Sequence, residues 1–464
     1  MTQEHDYLTA EALAKDPRVA QAKKLLLDAV TDHQKNITEI RPPIPALRQS
    51  YEKMLETIAE YRGSKLWFPY LGSGIGNGAL VELLDGSVKY DFITGIGTHY
   101  WGHSHPKIIE AGIDAAISDT VMQGHLQQNG DTVALSALLL KSSKMDHCFL
   151  SSSGAMANEN ALKIAFQKRF PANRILAFER GFAGRTLTLA QVTDKPAFRQ
   201  GLPETIAVDY VPFYDEAHPE ESTKHAVDVL KKHLARYPNQ HAVMIFELVQ
   251  GEAGFYPGSR EFFVALMDIL KKHQISIFDD EIQTFGRTSA LFAFQHFGLE
   301  SYIDLVTIGK LSQVCATLFN ADHCPKPGLL SQTFTSSTAA IRASKVILEN
   351  LINGDYYGPE GKIMKLHRYF VKKLTELAKQ HPMHIRGPFG VGAMIAFTPF
   401  DGESQRTTRI VHALFEAGVM SFIAGTNPTR IRFLIPAGAV TTDDIDHVTK
   451  IIKETMLTSD YGDV

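Results

Sequence analysis

The sequence predicts an α/β protein with a mostly parallel sheet covered by helices on both faces, together with a smaller α+β domain built from the two chain ends. From about residue 108 to 320, short apolar runs alternate with helical stretches, and the runs are apolar on both faces. Strands of a buried parallel sheet have this pattern. The runs are HCFL at 147–150, RILAF at 174–178, AVMIF at 242–246, ISIF at 275–278 and DLVTI at 304–308.

The composition is that of an ordinary globular protein. The chain has 464 residues, 44% hydrophobic and 21% charged, which is enough for two or three domains at roughly 150 residues each. A net charge of −4 without a basic cluster argues against a nucleic-acid partner. Three scattered cysteines exclude a disulfide framework and a four-ligand zinc site. No apolar stretch approaches the roughly 18 residues of a membrane span, and the N-terminus lacks a signal-peptide core. We therefore expect no membrane contact and a cytoplasmic location.

The pattern divides the chain into four segments. Residues 1–62 are predicted to form an N-terminal helical arm, and residues 63–107 the first part of the small domain. Residues 108–345 form the large domain that carries the parallel sheet, and residues 346–464 return to the small domain. The two ends of the chain are thus expected to meet in one structural unit.

Local signals support the two parts of the small domain. Asp85-Gly86 lies between two strand-like runs and predicts a hairpin turn. Apolar residues at helical spacing predict a helix over 361–380, and the capping pattern Thr441-x-x-Asp444 predicts the start of a final helix.

Polar residues that follow the predicted strands are the first candidates for a site, because ligands of open parallel sheets bind outside the carboxyl ends of the strands. Three serines and then Gly154-Ala155 follow the strand at 147–150 and lead into a helix over 155–168. The free N–H groups at the start of a helix suit a phosphate. A plain serine cap of this helix is the alternative interpretation.

Charged residues follow two later strands. Asp279-Asp280-Glu281 comes directly after the strand at 275–278, and carboxylates there are costly to bury unless a cation meets them. A purely structural ion pair is the alternative. Lys310 follows the strand at 304–308, where partial burial would lower the pKa of its amine and make it nucleophilic. An ordinary solvated lysine would look the same in the sequence.

Together these features are the parts that hold pyridoxal phosphate as a Schiff base: a phosphate cradle, a carboxylate, an aromatic ring and a lysine amine. Their order and spacing resemble the class III (ω-amino-acid) aminotransferases of fold type I from about residue 65 to 455. The resemblance implies a seven-stranded sheet and pyridoxal 5′-phosphate as cofactor. The matching stretches are DGSVKYDFITGIGTHYWGHSHPKI, SSSGAMANENALK, FAGRT, FELVQGEAGFYP, DDEIQTFGRT, DLVTIGK and RIRFLIP.

The resemblance also implies a role for each matching residue. Lys310 and Asp280 would be catalytic, the first bonded to the cofactor and the second paired with its ring nitrogen. Thr333 would reach the phosphate of a neighbouring subunit, so we expect a homodimer with shared active sites. The full set of implied cofactor-binding residues is Ser153, Gly154, Ala155, Phe182, Asp280, Gln283, Lys310 and Thr333.

The substrate side follows from two arginines that match the family. Arg432 would bind the α-carboxylate of the acceptor and Arg185 its distal carboxylate, which favours 2-oxoglutarate. Glu252 would neutralise Arg432 while an ω-amine donor occupies the site. Ile96 stands where ornithine-specific members carry tyrosine, which disfavours ornithine. We therefore expect an ω-amino donor of the 4-aminobutyrate, lysine or acetylornithine type, with ping-pong transfer through pyridoxamine phosphate to give glutamate.

Other interpretations remain at this point. A protein of the same fold and cofactor could be an aminomutase, a racemase or a decarboxylase, or a non-catalytic binding protein. The run GSGIGNG at 72–78 lacks the third glycine and the βαβ frame of a dinucleotide site. His103 and His105 have no further ligands beside them in the sequence, so we expect no metal site.

Overall fold

The computed structural model describes residues 8–119 and 124–458. Its helices are α1 (Thr9–Ala14), α2 (Pro17–Gln34), α3 (Arg48–Arg62), α4 (Thr94–Gly97), α5 (Pro106–Ala116), α6 (Gly130–Ser143), α7 (Gly154–Arg169), α8 (Leu187–Val192), α9 (Pro219–Arg236), α10 (Arg260–Lys272), α11 (Ala293–His296), α12 (Thr338–Asn353), α13 (Lys362–Gln380), α14 (Ser404–Glu416) and α15 (Thr442–Thr458). Its strands are β1 (Gly72–Asn77), β2 (Leu80–Leu83), β3 (Val88–Asp91), β4 (His147–Ser151), β5 (Arg174–Phe178), β6 (Ala207–Val211), β7 (His241–Phe246), β8 (Val249–Gln250), β9 (Tyr256–Pro257), β10 (Ser276–Glu281), β11 (Leu305–Ile308), β12 (Cys315–Phe319), β13 (Ile385–Val391), β14 (Met394–Pro399), β15 (Val419–Met420), β16 (Phe422–Ala424) and β17 (Arg430–Leu434).

The large sheet has seven strands in the order β4-β12-β11-β10-β7-β5-β6. Strand β12 runs antiparallel to both of its neighbours, and the remaining pairs are parallel. Every residue of β7, β10 and β11 is buried, as expected for central strands covered on both faces. The predicted class, an α/β protein with a mostly parallel seven-stranded sheet, is confirmed.

All five apolar runs are strands of this sheet, but the sequence did not predict β6 and β12. The inner strand β12 follows β11 after only six residues, too few for the helical crossover that the alternation pattern requires. Its antiparallel direction explains how so short a connection suffices. Strand β6 carries Asp209 inside its run, where Arg174 binds the carboxylate at 2.7 Å, so its apolar pattern is interrupted.

Helices cover both faces of the sheet. Apolar residues of α7 and α8 pack on one face, and those of α6, α9, α10 and α12 belong to the core on the other. Helix α7 begins at Gly154 because the Ser153 hydroxyl accepts a hydrogen bond from the Met156 N–H at 3.3 Å. The serine cap that the sequence suggested is therefore present, and it leaves the first N–H groups of α7 free of intrahelical partners.

Two four-stranded sheets, β1-β2-β3-β15 and β13-β14-β17-β16, form the smaller unit. The predicted hairpin is confirmed, with Asp85 accepting from the Ser87 N–H at 2.9 Å in the turn between β2 and β3. Strand β15 from the later part of the chain pairs with β3, and Phe92 and Phe433 share one buried core. Segments from both ends of the chain therefore build this unit, while the four predicted boundaries stay a prediction.

The N-terminal segment is helical, as its pattern indicated. Helix α2 is tied to α5 by Lys23, whose ammonium lies 3.2 Å from Glu110 and 3.0 Å from Asp114. In α3 the Tyr51 side chain is buried, whereas Tyr61 is exposed. Among the described residues, no helix is long and apolar enough to cross a membrane.

Strand β10 carries a pair of buried acids on the face turned away from the start of α7. Side chains alternate along a strand, so Asp279 and Glu281 share the face of Ile277, which lies in the phenylalanine-rich core. Both are fully buried. Burial and the neighbouring Glu281 raise the pKa of Asp279 well above its ordinary value, and burial raises the pKa of Glu281 to about 7. The expected cation is absent from this face in the part of the chain that the structure describes, and burial of the two neighbouring carboxyl groups favours the protonated form of Asp279.

Replacing Asp279 with leucine should raise the melting temperature, and the gain should be larger at pH 8 than at pH 5. The Asp279 carboxyl binds a proton more tightly in the folded protein than in the unfolded chain. The free energy of unfolding of the wild type therefore falls as the pH rises above 3.8, the ordinary pKa of aspartate. Leucine does not titrate and fills an apolar site. Differential scanning calorimetry at the two pH values measures the effect, and a gain independent of pH contradicts it.

Candidate active site

The carboxyl ends of the large sheet border a cavity of about 450 Å³. The loops after β5, β7, β10 and β11 and the start of α7 form its walls. Six residues predicted from the sequence lie together there, which places the candidate site at the edge of the sheet where ligands of this fold class bind. They are Gly154, Ala155, Phe182, Asp280, Gln283 and Lys310.

Asp280 is held by a network of neutral donors. Asn158 of α7 donates to its Oδ2 at 2.7 Å, and the Ile282 N–H donates to its Oδ1 at 3.0 Å. Asn158 in turn accepts from the Thr307 hydroxyl at 2.7 Å. Burial raises the pKa of Asp280 to about 6, while these donors and Lys310 oppose the increase. The carboxyl thus stays largely ionised at neutral pH.

Lys310 lies in the same cavity and supplies the positive group that Asp280 requires. Its backbone adopts φ 53°, a left-handed conformation that non-glycine residues seldom take and that is common at functional sites. Burial lowers the pKa of its amine to about 8; Glu252 opposes this shift and Arg432 adds to it. An amine with this pKa is partly neutral near pH 7.5, and therefore nucleophilic and able to exchange protons.

The loop after β5 presents Phe182 at the cavity wall. Thr193 anchors the loop, because its hydroxyl accepts from the Ala183 N–H at 3.0 Å and donates to the Gly184 carbonyl at 3.0 Å. The Phe182 N–H donates to Glu247 at 2.9 Å. Glu247 is enclosed except where it borders the cavity, and burial, followed by the charge of Asp280, raises its pKa to about 8.

The opposite wall is the start of α7. A Cβ atom added to Gly154 would lie 3.0 Å from the Ile282 side chain, so the glycine lets the start of α7 pack closely against the loop after β10. Gly154 and Ala155 line the cavity, and the positive end of the helix dipole points into it. This wall is therefore suited to bind an anion.

Arg432 of β17 reaches the cavity wall from the smaller unit. It is fully buried; it donates to Glu252 Oε1 at 2.6 Å and to Gln283 Oε1 at 3.3 Å. Burial raises the pKa of Glu252, but Arg432 outweighs this effect and the net pKa is lowered. The pair is thus an ion pair next to Lys310, and Gln283 links it to the cavity.

Six predicted site residues lie outside the residues that line the cavity: the Arg432–Glu252 pair just described and four others. Ser153 caps α7. The Arg185 guanidinium is stacked 3.8 Å from the centre of the Phe198 ring. Ile96 packs beside the core around Leu434. Thr333 is exposed beside a separate cavity of about 520 Å³.

Sequence reasoning missed Asn158, Glu247 and Arg287. Asn158 lies eight residues after a predicted strand end and inside a predicted helix, a position that gives no sign of a site role in a single sequence. Glu247 follows a predicted strand directly, so the same rule that selected Asp280 and Lys310 could have found it. Arg287 is fully enclosed and donates to the Gln283 carbonyl at 3.0 Å and to the Gly97 carbonyl.

The fold and the cavity define an α/β protein in which a lysine and a buried carboxylate line one cavity at the carboxyl ends of a parallel sheet. Residues 73–456 match the family described as "Aminotransferase class-III". The protein belongs to this family and is a class III aminotransferase. The resemblance inferred from the sequence is thereby confirmed.

Relatives with curated names agree with this assignment. The acetylornithine aminotransferase of Methanocaldococcus jannaschii is 30% identical over 385 residues, covering 78% of this chain and 87% of that protein. The acetylornithine aminotransferase of Archaeoglobus fulgidus is 29% identical over 384 residues, covering 81% and 93%. Both comparisons extend over most of each chain.

Solved structures share the fold. Lysine aminotransferase from M. tuberculosis superposes with a TM-score of 0.77 at 20% identity, covering 86% of this chain and 98% of that one. Ornithine aminotransferase from Toxoplasma gondii ME49 gives a TM-score of 0.76 at 23% identity, covering 90% and 99%. At these identities the likeness concerns the fold, which is that of fold type I.

The family implies pyridoxal phosphate as the cofactor, and the cavity fits it. Gly154 and Ala155 line the cavity at the start of α7, where free N–H groups can bind a phosphate. Asp280 can face a protonated ring nitrogen, because its carboxyl is buried, hydrogen-bonded by neutral donors and next to Lys310. Among the described residues no group of three or more potential metal ligands occurs.

Replacing Asn158 with alanine should move the acid limb of the pH–activity profile upward by about one pH unit or more. The hydrogen bond from Asn158 favours the ionised form of Asp280, so without it the pKa of Asp280 rises further above its ordinary value. The profile of kcat/KM against pH measures the shift.

Asn160→Ala is the matched control, because Asn160 is equally buried on α7 but hydrogen-bonds to Ser151 instead. An acid limb that moves equally in both variants, or in neither, contradicts the role of Asn158.

Proposed function

We propose that the protein transfers the amino group of an ω-amino donor to 2-oxoglutarate and forms glutamate in a ping-pong reaction that uses pyridoxal 5′-phosphate. The observation that carries the proposal is the Arg432–Glu252 ion pair at 2.6 Å beside Lys310, in which the arginine is fully buried and the glutamate partly exposed. The site binds two different substrates in turn. An arginine is needed to bind the carboxylate of 2-oxoglutarate, and its charge must be neutralised while the ω-amino donor, which has no carboxylate there, is bound.

The lysine and the aspartate supply the proton chemistry. When bound, the cofactor supplies an electron sink that stabilises a carbanion at the substrate carbon. Asp280 would lie beside the ring nitrogen of the cofactor and keep that nitrogen protonated. The Lys310 Nζ, with a pKa of about 8, would take a proton from the substrate carbon and hold it for return. Phe182 covers one face of the cavity, and Gly154 and Ala155 offer N–H groups to the phosphate.

Arg432 and Glu252 alternate between two arrangements in this proposal. With a donor that has no carboxylate at the reacting carbon, Glu252 keeps its ion pair with Arg432. With 2-oxoglutarate, Glu252 leaves and the planar guanidinium binds the α-carboxylate through two parallel hydrogen bonds. Arg185 would bind the second carboxylate; its guanidinium now stacks on Phe198, close to the Phe182 loop.

The donor is assigned only as a class. The curated relatives act on acetylornithine by name, and the solved structures that share the fold are named for lysine and ornithine. All three names describe amines at the end of an aliphatic chain. We therefore extend the same class of donor to this protein, with 4-aminobutyrate included.

We also propose a homodimer in which Thr333 of one subunit completes the phosphate site of the other. Thr333 is exposed and lies away from the cavity of its own chain. Beside it Phe334 is 60% exposed, and Leu126 in the wall of the same separate cavity is 93% exposed. Apolar side chains this exposed support an interface with a second copy.

Glutamate should form when the purified protein is incubated with 2-oxoglutarate and at least one of 4-aminobutyrate, lysine, N-acetylornithine, ornithine or β-alanine. Lys310→Ala should lower this turnover by about 10³-fold or more, because no other amine in the cavity can replace its proton transfer. Coupled glutamate detection measures both, and circular dichroism checks the fold of the variant. Turnover without 2-oxoglutarate would indicate an aminomutase, and full activity of Lys310→Ala would sink the mechanism.

Arg432→Lys should slow the half-reaction with 2-oxoglutarate by about 10-fold to 100-fold, because an ammonium cannot form the paired, planar contact with a carboxylate. The half-reaction with an ω-amine donor should change much less, since the donor does not bind the guanidinium. Single-turnover kinetics of the two half-reactions separate these effects. An equal loss in both halves would show that Arg432 does not discriminate between the substrates.

A further inference from the structure

Glu247 is a partly buried acid at the cavity that the proposed mechanism does not use. It follows β7 directly, and both of its carboxyl oxygens accept hydrogen bonds from the backbone. The Phe182 N–H donates to Oε1 at 2.9 Å, and the Gly251 N–H donates to Oε2 at 3.3 Å. One side chain therefore holds two separate loops.

The two loops carry different parts of the site. The first places Phe182 at the cavity wall. The second leads from Gly251 into Glu252, and the Gly251 carbonyl accepts from Arg432 at 3.2 Å. A Cβ atom added to Gly251 would lie 2.4 Å from Gln283, so this turn is packed directly against the residue that links Arg432 to the cavity. A shift of the turn would move all of these contacts.

We propose that Glu247 is a positioning residue that fixes the Phe182 loop and the Gly251 turn relative to each other, and so couples cofactor binding to acceptor binding. The inference rests on the proposed function, in which Phe182 covers the cofactor and the Glu252–Arg432 pair admits the acceptor. Glu247 itself touches neither substrate. Its effect passes through two backbone N–H groups.

The chemistry of the side chain makes the role testable. A carboxyl group accepts at both oxygens whether or not it carries a proton, whereas an amide has one accepting oxygen and one donating nitrogen. In Glu247→Gln, one of the two buried N–H groups must therefore face another donor. In Glu247→Ala both N–H groups lose their partner.

The experiment compares wild type, Glu247→Gln and Glu247→Ala in two measurements. Pyridoxal phosphate affinity, from absorbance titration of the protein after removal of the cofactor, reports on the Phe182 side. KM for 2-oxoglutarate with kcat reports on the Gly251 side. We expect Glu247→Gln to weaken one of them by about tenfold and Glu247→Ala to weaken both, with a smaller change in kcat.

Asp304→Asn is the matched control. Asp304 is also a buried carboxylate that accepts a backbone N–H, from Ile277 at 2.9 Å, but it lies at the other end of the large sheet. It should lower stability without changing cofactor affinity or KM. Equal effects of Asp304→Asn and Glu247→Gln would reduce Glu247 to a structural role, and unchanged values in both Glu247 variants would overturn the proposal.

Two further readouts keep the outcome decisive. If the Glu247 variants do not fold, hydrogen exchange of the wild-type protein tests the same contacts. The Phe182 and Gly251 amides must both exchange slowly, and fast exchange at either one rejects the coupling.

If the wild type does not use 2-oxoglutarate, the proposed function fails. The cofactor titration then still shows whether Glu247 positions the Phe182 loop.

Discussion

The burial of Asp280 and Lys310 in one cavity is the constraint on which the rest of the site depends. Each charge alone would be costly to remove from water, and each lowers that cost for the other. The remaining cost shows in their shifted pKa values, about 6 for the acid and about 8 for the amine. These shifts leave the acid charged and the amine able to exchange a proton near neutrality, which is the state that the proposed chemistry requires.

Strand β10 shows how one short segment serves both structure and site. Side-chain alternation directs Asp280 toward α7 and the cavity, and Asp279 and Glu281 toward the phenylalanine core. Only Asp280 meets a cation in the described structure, and Asn158 supplies a neutral hydrogen bond that favours its ionised form. For the other two acids, burial raises the pKa values without a cation to oppose the increase. Three consecutive carboxyl groups therefore have different protonation behaviour because they face different surroundings.

The sequence was sufficient for five of the seven strands and for the residues that bring Asp280 and Lys310 into one cavity, because both follow from local rules. Apolar runs mark the central strands, and polar residues at their carboxyl ends meet at one edge, which brings Asp280 and Lys310 together. Strand β12 could not be predicted by this rule, since its antiparallel return needs no helix. Asn158 was missed because its role depends on the angle at which α7 crosses the sheet, a tertiary property that no residue pattern near position 158 encodes.

The position of Arg432 relative to Lys310 depends on contacts between the two units of the fold. Arg432 belongs to β17, and the neighbouring Leu434 carbonyl accepts from the Thr94 hydroxyl at 2.9 Å. Thr94 opens α4, whose Gly97 carbonyl is bound by the buried Arg287 of the large-sheet loop. Thr94 has φ 53°, a strained conformation for a β-branched residue that surrounding contacts must stabilise. The strained residue therefore lies on the path that connects Arg432 to the cavity wall containing Lys310. The contacts that hold Thr94 in this conformation also fix the distance between the arginine and the lysine.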